Sequence, residues 1–197
     1  AVGRGGHARA WLARRPSRLP RARLVPRRCD DGENRMPVPP PANHDGLLAT
    51  LAVELWYAGD EILTAGSFLG DSGWSNRGET PAAMGAMGIK LRTTAELLLA
   101  SDWDDAAGEL EEAAYAGEEY FEAEQYEGLI ALLTDEEGYG DPSLPAADRP
   151  AAASSLRSLA ASVLMAADRV SENEVAADAL ACSAGRLEAA AKMLEQK

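Results

Sequence analysis

The chain has 197 residues, enough for one domain or a small domain with a tail, and carries a formal net charge of −13. Hydrophobic residues make up 46% of it but aromatic ones only 6%, so a sizeable core must be built largely from Ala, which contributes little transfer free energy beside Leu or Phe. Such acidity argues against nucleic acid as a partner, because phosphate backbones are repelled.

The charge is unevenly spread. Residues 1–35 hold ten Arg, no Lys and three acids, which leaves nine basic and 29 acidic residues from Met36 on, a net of −20. Residues 1–42 therefore read as an Arg- and Pro-rich leader, expected to be disordered because it has too little to bury. Four readings of it stay open: an organelle transit peptide, a basic arm for nucleic acid or an acidic partner, a fragment remnant, or upstream sequence ahead of a start at Met36. Cys29 and Cys182 make no disulfide framework. A reducing compartment is the default, so a cytoplasmic location is expected, or an organelle if the leader is a transit peptide. The longest apolar run, from Gly46, is broken by Glu54, Asp60 and Glu61 and does not reach membrane-spanning length.

From Asn43 the pattern is helical almost throughout, so residues 43–197 are expected to form one all-α domain, an antiparallel bundle of four to five helices. Asn43 or Asp45 can cap a first helix, in which Leu48, Leu51, Leu55, Ala58, Ile62, Ala65 and Leu69 recur in alternating steps of three and four. GDSGWSNRGE interrupts it, and Thr80-Pro81 restarts a helix, Pro being tolerated at the first helical position. Met84, Met87, Leu91, Thr94 and Leu98 carry its stripe. Within it, GAMG at 85–88 reads as a place of close helix packing rather than a phosphate cradle.

Ser101 or Asp102 can cap a third helix running to about Leu133, with Asp104 and Asp105 near its positive end. TDEEGYGDPSLPAADRP is a connector, after which Asp148 can cap a helix with inward Leu156, Leu159, Val163, Ala167 and Val170. The next stripe, on Ala176, Leu180, Ser183, Leu187 and Leu194, is out of phase with that one by roughly 170°. Together with the capping-box pattern Ser171-x-x-Glu174, this places a turn near Ser171 and favours five helices. No alternating β-branched run points to a strand.

The stretch GELEEAAYAGEEYFEAEQYEG, residues 108–128, holds eight Glu. On a helical wheel Trp103, Leu110, Ala114, Gly117, Phe121, Gly128 and Leu132 share a stripe, while Glu112, Glu119, Glu122 and Glu127 lie roughly 100° or more away. Those acids read as a solvated face that includes Tyr115 and Tyr126. Glu124 differs, at roughly 60° from the stripe, and Glu54 and Glu61 occupy a similar border on the first helix. These three carboxylates could converge on a divalent cation, which takes oxygen ligands, or pair with Lys90 or Arg92.

Other chemistry finds little footing. A di-iron bundle needs two E-x-x-H repeats, and His44 is the sole histidine after Met36. The E-x-x-E pairs of all-α nucleotide pyrophosphohydrolases occur at Glu109–Glu112 and Glu119–Glu122, but on one helix and without an acidic partner helix. No P-loop, G-x-S-x-G or zinc-ligand spacing is present. Cys182 reads as small core filling. Trp74, in a polar loop, is either a partner anchor or a cover for the bundle end. The expectation is a soluble acidic bundle acting through protein contacts or self-association, with no catalytic residue and no cofactor. The alternative is a divalent-metal-dependent enzyme or ion-responsive regulator using Glu54, Glu61 and Glu124.

Overall fold

In the computed structural model, which describes residues 38–72, 80–116 and 124–196, the three–four spacing of apolar residues becomes six helices. They are α1 (Leu47–Asp71), α2 (Thr80–Ala100), α3 (Trp103–Ala116), α4 (Glu124–Leu133), α5 (Arg149–Arg169) and α6 (Glu174–Glu195). The protein is an all-α bundle, and an isolated bridge between Thr134 and Gly140 is the nearest approach to a strand among the described residues. The count exceeds the expected five because the helix expected from Asp102 to Leu133 is described as two pieces. Residues 117–123 between them lie outside the described residues, as do Trp74 and residues 1–37 of the leader.

Each helix packs on the one before it, and α6 closes back on α1. The cross-contacts run in opposite directions along α1 and α2 and along α4 and α5. Ala58 O accepts from Ser183 Oγ at 2.9 Å, and Phe68 O lies near Asn173 Nδ2, so α1 and α6 are antiparallel. Every residue named in the stripes of α1, α2, α5 and α6 is buried. Among the described residues no helix is long and apolar enough to cross a membrane.

The ends of the helices depart from the expected caps. Gly46 holds the N-cap position of α1 without a side-chain bond, its φ of 119° lying where glycine is favoured. Asn43 is engaged elsewhere: its N–H donates to Leu99 O and its Nδ2 to Ala100 O, while His44 Nε2 lies 2.8 Å from Leu98 O. The chain entering α1 thus closes the C-terminus of α2, whose last carbonyls would otherwise lack partners. Ser101 N–H and Asp102 N–H return to Leu98 O and Leu97 O, with Ser101 at a left-handed φ of 65°, a Schellman-type ending. The turn expected at Ser171 is present between α5 and α6, but the cap is Asn173, which accepts from Ala176 N at 3.1 Å. Asp148 occupies the N-cap position of α5 with no side-chain bond.

The closest approach in the bundle joins α1 to α2. A Cβ built on Gly59 would lie 2.8 Å from Gly88 O, and one on Gly88 would lie 2.6 Å from Gly59 O and from Leu63 N. One turn pair further on, a Cβ on Gly66 would lie 2.9 Å from Pro81 O. Backbone therefore meets backbone, and the close packing read from GAMG is realised at Gly88. Gly85, three residues earlier, has open space where its Cβ would stand.

That contrast gives a paired test. Gly85→Ala should gain the helix preference of Ala, about 1 kcal/mol, and raise Tm by about 2–4 °C. Gly88→Ala has the same gain but forces the helices apart, at a cost of about 1–3 kcal/mol or more. Thermal melts of both variants should move in opposite directions; equal shifts would mean that the α1–α2 contact tolerates a methyl group.

Candidate functional site

Around Gly59 the sequence LWYAGDE places two aromatic–acid pairs one turn apart, Trp56 with Asp60 and Tyr57 with Glu61. Each pair faces a different neighbour of α1 and takes an arginine from it. On the α2 side, Arg92 reaches Asp60 Oδ1 at 2.8 Å and Glu96 Oε1 at 3.4 Å. Its guanidinium lies 4.6 Å from the centroid of the Trp56 ring, whose Nε1 donates to Glu96 Oε1 at 2.9 Å. On the α6 side, Arg186 lies 4.8 Å from the centroid of the Tyr57 ring and 3.5 Å from Glu54 Oε2. The Trp56 and Tyr57 rings meet edge to face at 5.4 Å, which joins the two halves into one girdle across α1.

Sequence reasoning anticipated part of this. Glu54 and Glu61 do share a border of α1, and both feel the same positive charge. That charge is Arg186 of α6, whereas Lys90 and Arg92 are spent on other acids. Glu54 Oε2, 3.5 Å from Arg186, is buried without a hydrogen-bond partner. Glu61 has its carboxyl pushed above the usual range by burial, reinforced by the neighbouring Asp60 charge and opposed by Arg186. Asp60 is also raised by burial, with Arg92 pulling the other way. Glu124 opens α4, but its side chain lies outside the described residues, so its place relative to Glu54 and Glu61 is not assigned. No three His, Cys, Asp or Glu side chains among the described residues gather as a metal site.

In the acid-rich stretch Glu112 and Glu127 are exposed, as the wheel places them, while Lys90 reaches from α2 to Glu109 at 2.9 Å and to Glu112 and so links α2 to α3. One residue is corrected. Tyr126, placed on the wet side by the wheel, is fully buried, with its hydroxyl directed at Met87 Sδ. Counting 100° per residue from Trp103 presumes one unbroken helix, and the buried Tyr126, Leu129, Leu132 and Leu133 of α4 centre roughly 90° from that line. Glu119, Glu122 and Phe121 lie outside the described residues. Cys182 is half-buried and disulfide-bonded rather than small core filling.

Asp60, Glu96 and Arg186 complete the girdle and carry no motif of their own. The repeated aromatic-x-x-x-acid spacing in LWYAGDE was the available signal, since it puts two polar pairs on the flanks of a glycine contact. Chemically the girdle can hold charge and orient two guanidinium groups over aromatic faces, and it binds α1 to both neighbours. No family model, no curated protein and no solved structure matches the chain.

The raised Glu61 carboxyl has a pH signature. A carboxyl whose pKa is higher when folded takes up its proton first in the folded state. Its burial cost is therefore present at neutral pH, and it fades as pH falls through the raised value towards the ordinary 4.5. Glu61→Gln should raise Tm at pH 7, with the difference from wild type shrinking as pH approaches that range. A lower Tm for the variant at pH 7 would show that attraction to Arg186 outweighs the burial cost.

Proposed function

We propose that the chain is a soluble, acidic helical-bundle protein that acts through protein contacts, as a scaffold, adaptor or assembly factor, with its own copy among the eligible partners. The observation that supports this is the outward face of α5. Ala151, Ser154, Ser158, Ala161, Leu164 and Met165 are all exposed there, and the charged Asp168 and Arg169 follow at its C-terminal end. Leu164 is 48% and Met165 53% exposed, on a chain whose net charge is −13. Arg157, on the flank, is turned aside to Glu195 of α6 through two bonds of 2.5 and 2.6 Å. Protein surfaces that stay free usually carry charge, and a strip that is uncharged from Ala151 to Met165 and ends in large apolar side chains suits a protein partner.

A second reading, a divalent cation held by Glu54 and Glu61 in an ion-responsive regulator or all-α enzyme, draws on the buried Glu54 oxygen that has no hydrogen bond. It requires an ion to take over the charge that Arg186 supplies. Melts in EDTA, magnesium, calcium and manganese test it: an ion-specific rise in Tm, lost in Glu54→Gln, would carry the reading, and identical melts in all four would end it.

The first reading is checked by light scattering of the full chain and by affinity capture with the chain as bait, each with wild type and Leu164→Glu/Met165→Glu. Both residues are exposed, so the variant should melt like wild type. A complex formed by wild type and lost in the variant is expected; a strict monomer that captures the same proteins with either face would sink the proposal.

A further inference from the structure

Away from the girdle, four segments meet at one end of the bundle: the chain entering α1, the start of α3, the connector 134–148 and the start of α5. Between them lies an open cavity of about 290 Å³ whose walls include His44, Asp45, Leu48, Trp103, Leu144 and Arg149. Its size sits at the lower end for ligand pockets, which suits a small molecule rather than a nucleotide or a large cofactor.

The walls are held in place by bonds that need no ligand. The His44 ring is fastened to Leu98 O and lies tilted against Trp103, with ring centroids 5.0 Å apart. On the connector side, a Cβ on Gly140 would lie 2.2 Å from the Trp103 carbonyl carbon, so the chain presses directly on this residue, and Gly140 N–H donates to Asp104 Oδ1 at 2.8 Å. Leu144 is buried yet adopts a left-handed φ of 46°, a conformation that costs a non-glycine residue about 1–2 kcal/mol. Its carbonyl accepts from Arg149 Nε at 3.0 Å.

Arg149 is the informative member. Its Nε is spent on Leu144, and its two terminal nitrogens bond no acid among the described residues. Acids outnumber bases by 29 to nine from Met36 on, so an arginine that lines a cavity and has been given no carboxylate is free to take one from a ligand. A guanidinium with a paired edge exposed recognises a planar carboxylate in bidentate fashion. Asp45, exposed at the same cavity, adds a negative charge that disfavours a dianion such as phosphate.

We propose that this cavity binds a small monocarboxylate with an apolar body, its carboxylate on the terminal nitrogens of Arg149 and its body against Trp103 and Leu48. Titration calorimetry on the full chain with benzoate, acetate and inorganic phosphate tests this. Benzoate should bind, acetate should bind roughly tenfold or more weakly for want of the apolar contact, and phosphate should not compete. Arg149→Gln should weaken benzoate by roughly tenfold or more, the worth of a charge-assisted hydrogen bond. Benzoate affinity unchanged in that variant, phosphate binding as well as benzoate, or no benzoate binding in the millimolar range would each overturn the proposal. Since Arg149 also supports Leu144, the variant can lose its fold. Heteronuclear NMR of the wild-type chain then decides: benzoate should shift the Trp103 indole N–H and the Arg149 side chain, and shifts confined to other residues would refute the site.

Discussion

Contact between the backbones of α1 and α2 at Gly59 and Gly88 sets the terms for the rest of the bundle. With no side chain between them at that point, the residues that flank the contact stand nearer one another than in a helix pair spaced by leucines. Asp60 follows Gly59 directly, and Arg92 stands one turn after Gly88. The short gap lets this guanidinium reach Asp60 at 2.8 Å while covering the face of Trp56. The same economy explains an Ala-rich core. Small residues give little hydrophobic free energy each, but they let helices approach until dispersion contacts are dense, and the small deficit per residue is offset by packing. Gly128 repeats the device between α4 and α5, where a Cβ would lie 2.5 Å from Ala151 O.

A surplus of negative charge is a penalty for a compact chain, and the few cations are placed where they offset it best. Lys90 ties α2 to α3, Arg92 ties α2 to α1, Arg186 ties α6 to α1, and Arg157 ties α5 to α6. Each is worth little alone, since partly exposed ion pairs contribute on the order of 0–1 kcal/mol. Their value is positional: each of these four contacts crosses between neighbouring helices, although Arg92 also pairs with Glu96 along α2, so each opposes the splaying that acid–acid repulsion promotes. Arg149 stands outside this scheme, since its terminal nitrogens bond no acid among the described residues.

How much of this could be read from the amino-acid sequence depends on the range of the interaction. The stripes of α1, α2, α5 and α6 are local patterns, three or four residues apart, and all of their named members are buried. The turn before α6 was visible as a phase change, although the cap proved to be Asn173 rather than Ser171, because Ser171 sits in the turn itself. Partners far apart in the chain were not legible. Asn43 looks like a helix cap and instead serves the far end of α2, 57 residues away. Glu54 was matched with Lys90 or Arg92 because those lie on the next helix, whereas its arginine comes from the last one. Tyr126 was misplaced because a phase carried from Trp103 does not survive to α4. The cavity at Arg149 belongs wholly to this class, since its walls come from four segments and none carries a motif.

The return of α6 to α1 has a consequence for how the chain is made. The Ala58 carbonyl receives its buried bond from Ser183, 125 residues later. At about 5–20 residues per second, the two are separated by roughly 6–25 s of synthesis. During that interval α1 can settle against α2 through its glycines, but the flank that carries Tyr57 and Glu54 faces water. Helical bundles usually owe rapid folding to contacts between sequence neighbours. Here α6 covers α1, so this part of the bundle closes only after α6 has been synthesised, and the α1 flank stays uncovered until then.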